Sequence, residues 1–266
     1  MSLAPAEQAR AREVALEAAR AAGEIQLAYF ERLDRSRIGS KSAARDLVTE
    51  VDLASERCLV ERLRAAFPAH SIESEEAVRD APARGPRWFL DPLDGTVNFV
   101  HGLPSFAVSL GLLVDGQPEV GVVHAARLGE TFHAVRGGGA FLGQRRLAVS
   151  RAASLAEALL ATGFPYRRQD PRTNNVANFT GLIGEVRDLR RMGSAALDLA
   201  YVAAGRFDGF WELGLAPHDV AAGALLVREA GGLVSDLEGG EDWLRSGRIV
   251  AAGAGLHATL RARLVH

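Results

Sequence analysis

The succession of β-like and helix-like segments changes near residues 150–155, and this change is the strongest constraint on the fold. Before it, short runs rich in β-branched and aromatic residues follow one another and are separated by turn residues, as at 115–118 and 137–139. After it, β-like runs alternate with helix-like segments. Consecutive strands predict an antiparallel sheet, and alternation predicts a more parallel sheet with helices. We therefore expect an α/β (α+β) fold.

The first half contains two expected helices and six expected strands. The helices cover 5–32, with apolar residues such as Leu16 and Phe30, and 52–67, with Asp52 as N-cap. The strands are 70–72, 88–90, 106–113, 119–124, 131–135 and 146–149. The glycines at 137–139 lack the Lys-Ser/Thr pair of a P-loop, so a tight bend between strands is the favoured interpretation.

The second half contains the alternating elements. The expected strands are 159–162, 186–189, 207–211 and 233–235, and the expected helices are 172–184, 195–204 and 218–230. No Pro/Ser-rich linker separates the two halves of the chain. We therefore place a soft boundary between an N-terminal half, 1–152, and a C-terminal half, 153–266, and expect one compact unit with a large shared interface.

The composition argues against several classes of protein. The chain has 266 residues, 48% hydrophobic content and a net charge of −2, so it lacks the basic excess of a dedicated nucleic-acid binder. No apolar run is long enough to cross a membrane, and the polar N-terminal residues show no secretory segment. Cys58 is the single cysteine, which excludes an internal disulfide, and we expect a reducing, cytoplasmic compartment.

The segment 88–96 (WFLDPLDGT) leads from an apolar strand directly into two aspartates, Asp91 and Asp94. Unpaired charges at the edge of a core are costly, and a hard cation such as Mg²⁺ would compensate them. The Gly95-Thr96 turn that follows offers backbone N–H groups to an anion. The alternative is a pair of ordinary turns, since Asp-Pro and Asp-Gly are common turn dipeptides. The segment therefore favours metal-assisted phosphate chemistry.

Three further segments place carboxylates beside apolar elements. Glu75 follows a β-like run, and pairing with the next strand would bring it to the same sheet end as Asp91. Asp52 and Asp219 each lie at the start of a helix, where capping and the helix dipole also favour an acid. Carboxylates from four segments are typical of a hydrolytic two-metal site. The ordinary alternative, a set of solvated or capping charges, remains open for each residue taken singly.

Four motifs in order resemble the inositol monophosphatase family. Residues 91–104 (DPLDGTVNFVHGLP) resemble its first signature, and 218–223 (HDVAAG) with 229–232 (EAGG) resemble its second. Residues 46–52 (DLVTEVD) and 74–76 (SEE) match its two N-terminal motifs, and the similarity spans about residues 10 to 255. The segments 161–166 (ATGFPY) and 190–205 (RRMGSAALDLAYVAAG) look most like the bacterial inositol-1-monophosphatase branch.

The resemblance implies a layered α-β-α-β-α sandwich of the sugar-phosphatase type and a set of residue roles. Two or three Mg²⁺ ions would be bound by Glu75, Asp91, the Leu93 carbonyl, Asp94 and Asp219. Thr96 with Asp52, aided by Glu75, would orient and activate the attacking water. The substrate would contact Gly95, Thr96, Gly193, Ser194, Ala195, Glu212, Asp219 and Lys41. The family is usually homodimeric and inhibited by Li⁺.

The chain departs from the family pattern at three places. His218 stands where a tryptophan is usual, and we interpret it as a packing replacement, with an effect on metal affinity or pH dependence as the alternative. Val97 replaces the usual threonine. Ser74 and Ala77 flank the glutamate pair where glycine and a hydroxyl residue are common.

The expected activity is Mg²⁺-dependent hydrolysis of myo-inositol 1-phosphate or a related polyol phosphate. Histidinol-phosphate phosphatase and fructose-1,6-bisphosphatase are alternatives with the same metal core, and a nucleotide-3′-phosphatase ranks lowest. We expect a small phosphomonoester substrate, a homodimer, and neither membrane nor nucleic acid as a partner. A non-catalytic regulator that binds a protein or RNA is the alternative of another class.

Overall fold

The order of the elements agrees with the change of pattern in the sequence. The structure is a computed structural model and describes residues 3–33, 38–40, 47–81, 85–165 and 174–265. The helices are α1 (Pro5–Tyr29), α2 (Glu50–Ala66), α3 (Thr96–Val100), α4 (Val176–Leu182), α5 (Ala195–Ala203), α6 (Pro217–Glu229), α7 (Trp243–Ser246) and α8 (Ala254–Arg261). The strands are β1 (Gly39–Ser40), β2 (Leu47–Val48), β3 (Ser71–Ser74), β4 (Pro86–Asp94), β5 (Ala107–Val114), β6 (Gln117–Ala125), β7 (Glu130–Val135), β8 (Gly139–Leu142), β9 (Arg145–Arg146), β10 (Leu159–Thr162), β11 (Asp188–Arg190), β12 (Gly209–Leu213), β13 (Gly232–Ser235) and β14 (Arg248–Gly253).

The larger sheet has seven strands in the order β3-β4-β5-β6-β7-β8-β9 within the described chain. All neighbours are antiparallel except β3 and β4, which run parallel. The predicted run 146–149 contributes only its first residue to β9, and β8 was not predicted because four residues after a glycine bend carry little periodic signal. The glycines at 137–139 form the bend between β7 and β8, as expected.

The smaller sheet has the order β11-β10-β12-β14-β13. The pairs that involve β10 are parallel, whereas β14 runs antiparallel to both β12 and β13. The expected parallel character therefore holds for one side of this sheet. The other side is antiparallel because β14, which the sequence pattern did not reveal, enters between two predicted strands.

The layers follow the predicted α-β-α-β-α order. Helices α1 and α2 cover one face of the larger sheet, and α5 and α6 lie between the two sheets. Helices α4 and α8 cover the outer face of the smaller sheet through Leu182, Leu256 and Leu260. None of the described helices combines the length and the apolar character that a membrane span requires.

Small residues set the distance between α6 and the larger sheet. A Cβ atom on Gly111 would lie 2.6 Å from the Ala221 Cβ, and one on Gly121 would lie 2.8 Å from the Ala222 carbonyl oxygen. A Cβ on Gly223 would lie 2.5 Å from the Leu199 Cβ of α5. These distances are too short for any side chain, so α6 packs backbone to backbone, and its first turn is held close to the end of β4.

Helix α1 buries a different face from the one its large apolar residues indicate. Leu16 is buried, but Leu27 is 43% exposed, and most of the buried positions are alanines. Two glutamines, Gln8 and Gln26, complete the buried face. A stripe of small side chains lets α1 lie close to α2 and to the sheet, and close packing decides the helix orientation here.

Candidate active site

Asp91 and Asp94 lie at an irregularity in β4. The strand pairs Asp91 with Ser109 and Asp94 with Ala107, so the register with β5 shifts between the two aspartates. The strand therefore continues through the Asp-Pro pair, and the turn follows Asp94. A bulge of this kind re-aims side chains, which explains how two aspartates three positions apart approach each other.

Three carboxylates converge beside this bulge. One carboxylate oxygen from each of Asp91, Asp94 and Asp219 lies within 4.8 Å of the other two. Asp94 Oδ2 accepts hydrogen bonds from the Ser194 hydroxyl at 2.6 Å and from the Ala196 N–H at 2.8 Å. Asp219 Oδ2 accepts from the Ala216 N–H at 2.6 Å. The start of α5 therefore holds one oxygen of Asp94, and the start of α6 holds one oxygen of its own residue Asp219.

Glu75 joins the cluster from the neighbouring strand. Because β3 and β4 are parallel, their carboxyl ends lie at the same sheet edge, and the Glu75 N–H donates to the Leu90 carbonyl at 3.0 Å. The Glu75 carboxyl lies within hydrogen-bonding reach of Asp91. The structure thus brings together the four carboxylates that the sequence predicted as metal ligands.

Burial and mutual repulsion disfavour the charged forms of the carboxylates in this cluster. Burial raises the pKa of Asp91 well above its usual value, and the charges of Glu75, Asp94 and Asp219 raise it further. Burial and the Asp219 charge raise the pKa of Asp94 to about 7. The converging atoms of Asp91, Asp94 and Asp219 are carboxylate oxygens, and hard divalent cations such as Mg²⁺ prefer oxygen donors. The residues present therefore fit a divalent metal ion.

Thr96 and Asp52 form a hydrogen-bonded pair behind the cluster. The Thr96 Oγ1 lies 3.1 Å from Asp52 Oδ1 and 3.1 Å from the Leu93 carbonyl oxygen, so its hydroxyl can donate to either. Asp52 Oδ2 accepts from the Thr49 N–H at 2.7 Å and from the Thr49 hydroxyl at 2.5 Å. Asp52 is therefore not the N-cap of α2. Thr49 is the N-cap, and Asp52 is the third helical residue of a capping box.

Glycines allow two turns to approach each other at the predicted phosphate contact. Gly95 has φ +93°, and a Cβ there would lie 2.8 Å from the Ser105 carbonyl oxygen. The Asn98 amide donates to the carbonyls of Ser105 and Met192, which ties the turn after β4 to the turn that contains Gly193. Only glycine fits at position 95, because any other residue would be strained at this positive φ and its Cβ would collide with the opposite backbone.

A cavity of about 490 Å³, its open mouth included, extends from Asp94 and Asp219. Its other lining residues are Phe164, Pro165, Arg191, Gly193, Ser194, Ala195, Glu212, Gly214 and Leu215. A Cβ on Gly163 would lie 2.1 Å from Glu212 Oε1, so the glycine provides the room that the Glu212 carboxylate occupies. Gly193, Ser194, Ala195 and Glu212, predicted as substrate contacts, all line this cavity.

Asp198 is a buried acid near the site residues Glu212 and Asp94 that sequence reasoning missed. It is 1% exposed, and burial raises its pKa well above the usual range, with further contributions from the charges of Glu212 and Asp94. An aspartate inside the apolar helix AALDLAYVA was the available signal. Such a residue is costly to bury as an anion, so burial favours its neutral form.

The remaining predicted residues have different outcomes. His218 is buried, its Nε2 lies 3.7 Å from Asp219 Oδ1, and its Nδ1 has no hydrogen-bond partner among the described residues. The effect of His218 on the metal site stays a prediction.

The other departures from the family pattern include Val97 and Ala77. Val97 is exposed, and the Ala77 N–H donates to the Glu56 carboxylate at 3.0 Å. Lys41 lies outside the described residues, as does Asp46.

Comparison with known proteins gives consistent matches along the chain. The model of the inositol monophosphatase family matches residues 7–266. Nus factor SuhB of Pseudomonas aeruginosa is 50% identical over 245 residues, which cover 90% of this chain and 89% of that protein. Nus factor SuhB of Escherichia coli is 46% identical over 239 residues, which cover 90% of this chain and 89% of that protein.

Solved structures share the fold. The inositol monophosphatase from Anabaena has a TM-score of 0.86 and 40% identity, and the match covers 95% of this chain and 94% of that one. The extragenic suppressor protein suhB from Bartonella henselae has a TM-score of 0.88 and 38% identity, with coverage of 94% and 96%.

Proposed function

Because the chain belongs to the inositol monophosphatase family, we propose that it is a Mg²⁺-dependent phosphomonoesterase that hydrolyses myo-inositol 1-phosphate. The observation that carries the proposal is the approach of three buried or half-buried carboxylates, with oxygens within 4.8 Å of one another, at the end of the cavity. Such a cluster is unfavourable without a cation, and the same carboxylates lie within the motifs on which the family resemblance rests.

The proposed ligands of two or three Mg²⁺ ions are Glu75, Asp91, Asp94, Asp219 and the Leu93 carbonyl. Bound divalent cations lower the pKa of a water molecule and neutralise charge on phosphoryl oxygens. The hydrogen bonds from Ser194 and Ala196 hold Asp94 in one orientation, and the bond from Ala216 does the same for Asp219. These contacts support a preorganised set of oxygen donors.

Thr96 and Asp52 are the proposed residues for the water molecule. Thr49 occupies one oxygen of Asp52 with two hydrogen bonds and leaves the other directed at Thr96. A carboxylate held in this way accepts a hydrogen bond from the Thr96 hydroxyl. The Thr96 oxygen is then free to accept a hydrogen bond from the water molecule. The backbone N–H groups of Gly95 and Thr96 are the proposed phosphate contacts.

The cavity wall favours a polyol over a substrate with a second phosphate. Glu212 is a carboxylate acceptor for hydroxyl groups, and its charge disfavours a second phosphate; Arg191 is the cationic residue of the same lining. Phe164, Pro165 and Leu215 add apolar surface suited to a sugar ring. Histidinol phosphate and fructose 1,6-bisphosphate remain the alternatives that a substrate panel must separate.

The test is phosphate release with and without Mg²⁺ on inositol 1-phosphate, histidinol phosphate, fructose 1,6-bisphosphate and adenosine 3′,5′-bisphosphate. We expect Mg²⁺-dependent turnover that is highest on inositol 1-phosphate. Asp94→Asn should lower kcat by orders of magnitude. The matched control is Asp236→Asn, which replaces a buried aspartate outside the cavity whose carboxylate accepts the Gly240 N–H at 2.6 Å. Near-wild-type turnover of Asp94→Asn at saturating Mg²⁺ would contradict the metal assignment.

A second candidate function is a regulatory binding role, favoured by the relatives that are named Nus factor SuhB. Those names do not support the expectation that nucleic acid is absent from the partners. The Asp94→Asn variant separates the two roles: rescue of a deletion strain by this inactive variant supports binding, and rescue by the active protein alone supports catalysis. The homodimer, Li⁺ inhibition and cytoplasmic location stay proposals, to be tested by sedimentation, Li⁺ titration and fractionation.

A further inference from the structure

Gln26 is a buried polar residue on the alanine-rich face of α1. It is 0% exposed, and its neighbours on this face include Ala19 and Ala22. Burying an amide side chain costs about 1–3 kcal/mol unless hydrogen bonds replace those to water. Its Oε1 is buried and has no hydrogen-bond partner among the described residues. An apolar side chain at this position would avoid the cost of burying an amide. Only a hydrogen bond from the other polar atom, Nε2, can offset that cost.

The Nε2 group donates to the Pro92 carbonyl oxygen at 2.8 Å. Pro92 lies inside the bulge of β4, between the register pairs Asp91–Ser109 and Asp94–Ala107, and it has no partner residue in the ladder with β5. Gln26 supplies the hydrogen bond that the strand neighbour does not supply. The contact therefore joins the first helix of the chain to the backbone between the two metal-site aspartates.

The same peptide group is held at its other end by a carboxylate. The Leu93 N–H, which shares a peptide plane with the Pro92 carbonyl, donates to Asp91 Oδ1 at 2.9 Å. Because a peptide is planar and trans, fixing the direction of its carbonyl also fixes the direction of its N–H. That N–H holds Asp91 Oδ1 and thereby helps to fix the orientation of the Asp91 carboxylate.

We infer that Gln26 is a positioning residue for the metal site, which orients the Asp91 carboxylate through the peptide between Pro92 and Leu93. The inference rests on the proposed metal site, and it concerns affinity for the ion, not the identity of the substrate. Residues that orient metal ligands through hydrogen bonds change metal affinity by about 10–100-fold when they are removed.

The chain offers a matched control on the same helix. Gln8 is 9% exposed, lies on the same buried face of α1, and donates to Glu119 Oε2 at 2.7 Å. Eighteen residues of helix separate it from Gln26, about 27 Å along the axis. Gln8→Met and Gln26→Met therefore remove the same buried amide from the same helix, and only the second removes the contact with the bulge.

The experiment is calorimetric titration of the metal-free wild type and the two variants with Mg²⁺ alone. We expect Gln26→Met to weaken Mg²⁺ binding by about 10–100-fold and Gln8→Met to change it by less than about twofold. Amide exchange of Leu93 in the metal-free protein should be faster in Gln26→Met than in Gln8→Met. If Gln26→Met does not fold, Gln26→Leu replaces it, and the same loss of Mg²⁺ affinity is expected.

Unchanged Mg²⁺ affinity in Gln26→Met would overturn the inference, and so would an equal loss in both variants, which indicates a general loss of stability. A wild type that binds no Mg²⁺ would overturn the metal site and the inference together. A wild type that binds Mg²⁺ without releasing phosphate would refute the proposed function alone, and the comparison of the variants would still decide the role of Gln26.

Discussion

Replacing Asp94 by asparagine is expected to stabilise the metal-free protein at pH 8 while it abolishes activity. Asp94 is 8% exposed, and its pKa in the folded protein is raised to about 7 by burial first and by the Asp219 charge second. Asparagine retains an oxygen that can accept from the Ser194 hydroxyl and the Ala196 N–H. The variant therefore removes the charge with little change in shape.

The size of the effect follows from the pKa of Asp94 in the two states. The pKa of the carboxyl is 3.8 in the unfolded chain and about 7 in the folded protein. The folded state therefore binds more protons between these values, so the stability that protonation supplies is complete below pH 3.8 and is lost as the pH rises through about 7. A difference of about three units corresponds to at most about 4 kcal/mol.

The assay is urea unfolding in EDTA at pH 5 and at pH 8, repeated with Mg²⁺. At pH 8 we expect Asp94→Asn to exceed the wild type in free energy of unfolding by about 2–4 kcal/mol, and at pH 5 the difference should shrink by more than half. Mg²⁺ should stabilise the wild type at pH 8 more than the variant, because binding to the folded state raises its stability and the variant lacks one ligand.

Asp236→Asn is the control for a general effect of removing a buried carboxylate. Its carboxylate accepts the N–H groups of Gly240 and Asp242, and we expect its loss to lower stability at both pH values. A loss of stability in Asp94→Asn at pH 8 in EDTA would refute the claim that the cluster is strained by its own charge. Equal stabilisation of both proteins by Mg²⁺ would refute the assignment of Asp94 as a ligand.

Three further substitutions test the remaining roles. Thr96→Val removes the hydroxyl that lies 3.1 Å from Asp52, and steady-state kinetics should give a kcat lower by about 10²–10⁴-fold, with Mg²⁺ affinity retained in calorimetry. Glu212→Gln should raise KM for inositol 1-phosphate more than KM for p-nitrophenyl phosphate, because only the first offers ring hydroxyls to the carboxylate. Gly163→Ala places a Cβ 2.1 Å from Glu212 Oε1 and should raise the same KM, and equal changes for both substrates would contradict the placement of Glu212.

Local sequence pattern predicted most elements because their periodicity and turn residues act over short distances. Strand β10 covers the predicted residues 159–162, and helices α5 and α6 begin and end within one residue of the prediction. Strand β14 was missed, although it pairs with both β12 and β13. Its run of isoleucine, valine, alanines and glycine is ambiguous in isolation, and it becomes a strand because two neighbours supply its hydrogen bonds.

The metal ligands of the candidate site could be predicted from the sequence, but the backbone bulge and the hydrogen bonds that hold them in place could not. Asp91 and Asp94 attract attention because they follow an apolar strand, and Asp219 because it opens an apolar helix. The sequence could not show that β4 continues through a bulge, nor that Thr49 is the N-cap that engages Asp52. Capping and bulges depend on backbone geometry that several residue types can satisfy.

The sequence by itself determined the family, the layered fold and the carboxylates of the cluster, because motifs of adjacent residues and their order along the chain carry that information. The tertiary structure decided which side chains share one site. Gln26 reaches Pro92 across 66 residues, and Asp198 lies close enough to Glu212 for the Glu212 charge to raise its pKa. Burial and the raised pKa of Asp94 likewise arise only after distant segments pack together, since desolvation and charge repulsion depend on distance in space and not on distance along the chain.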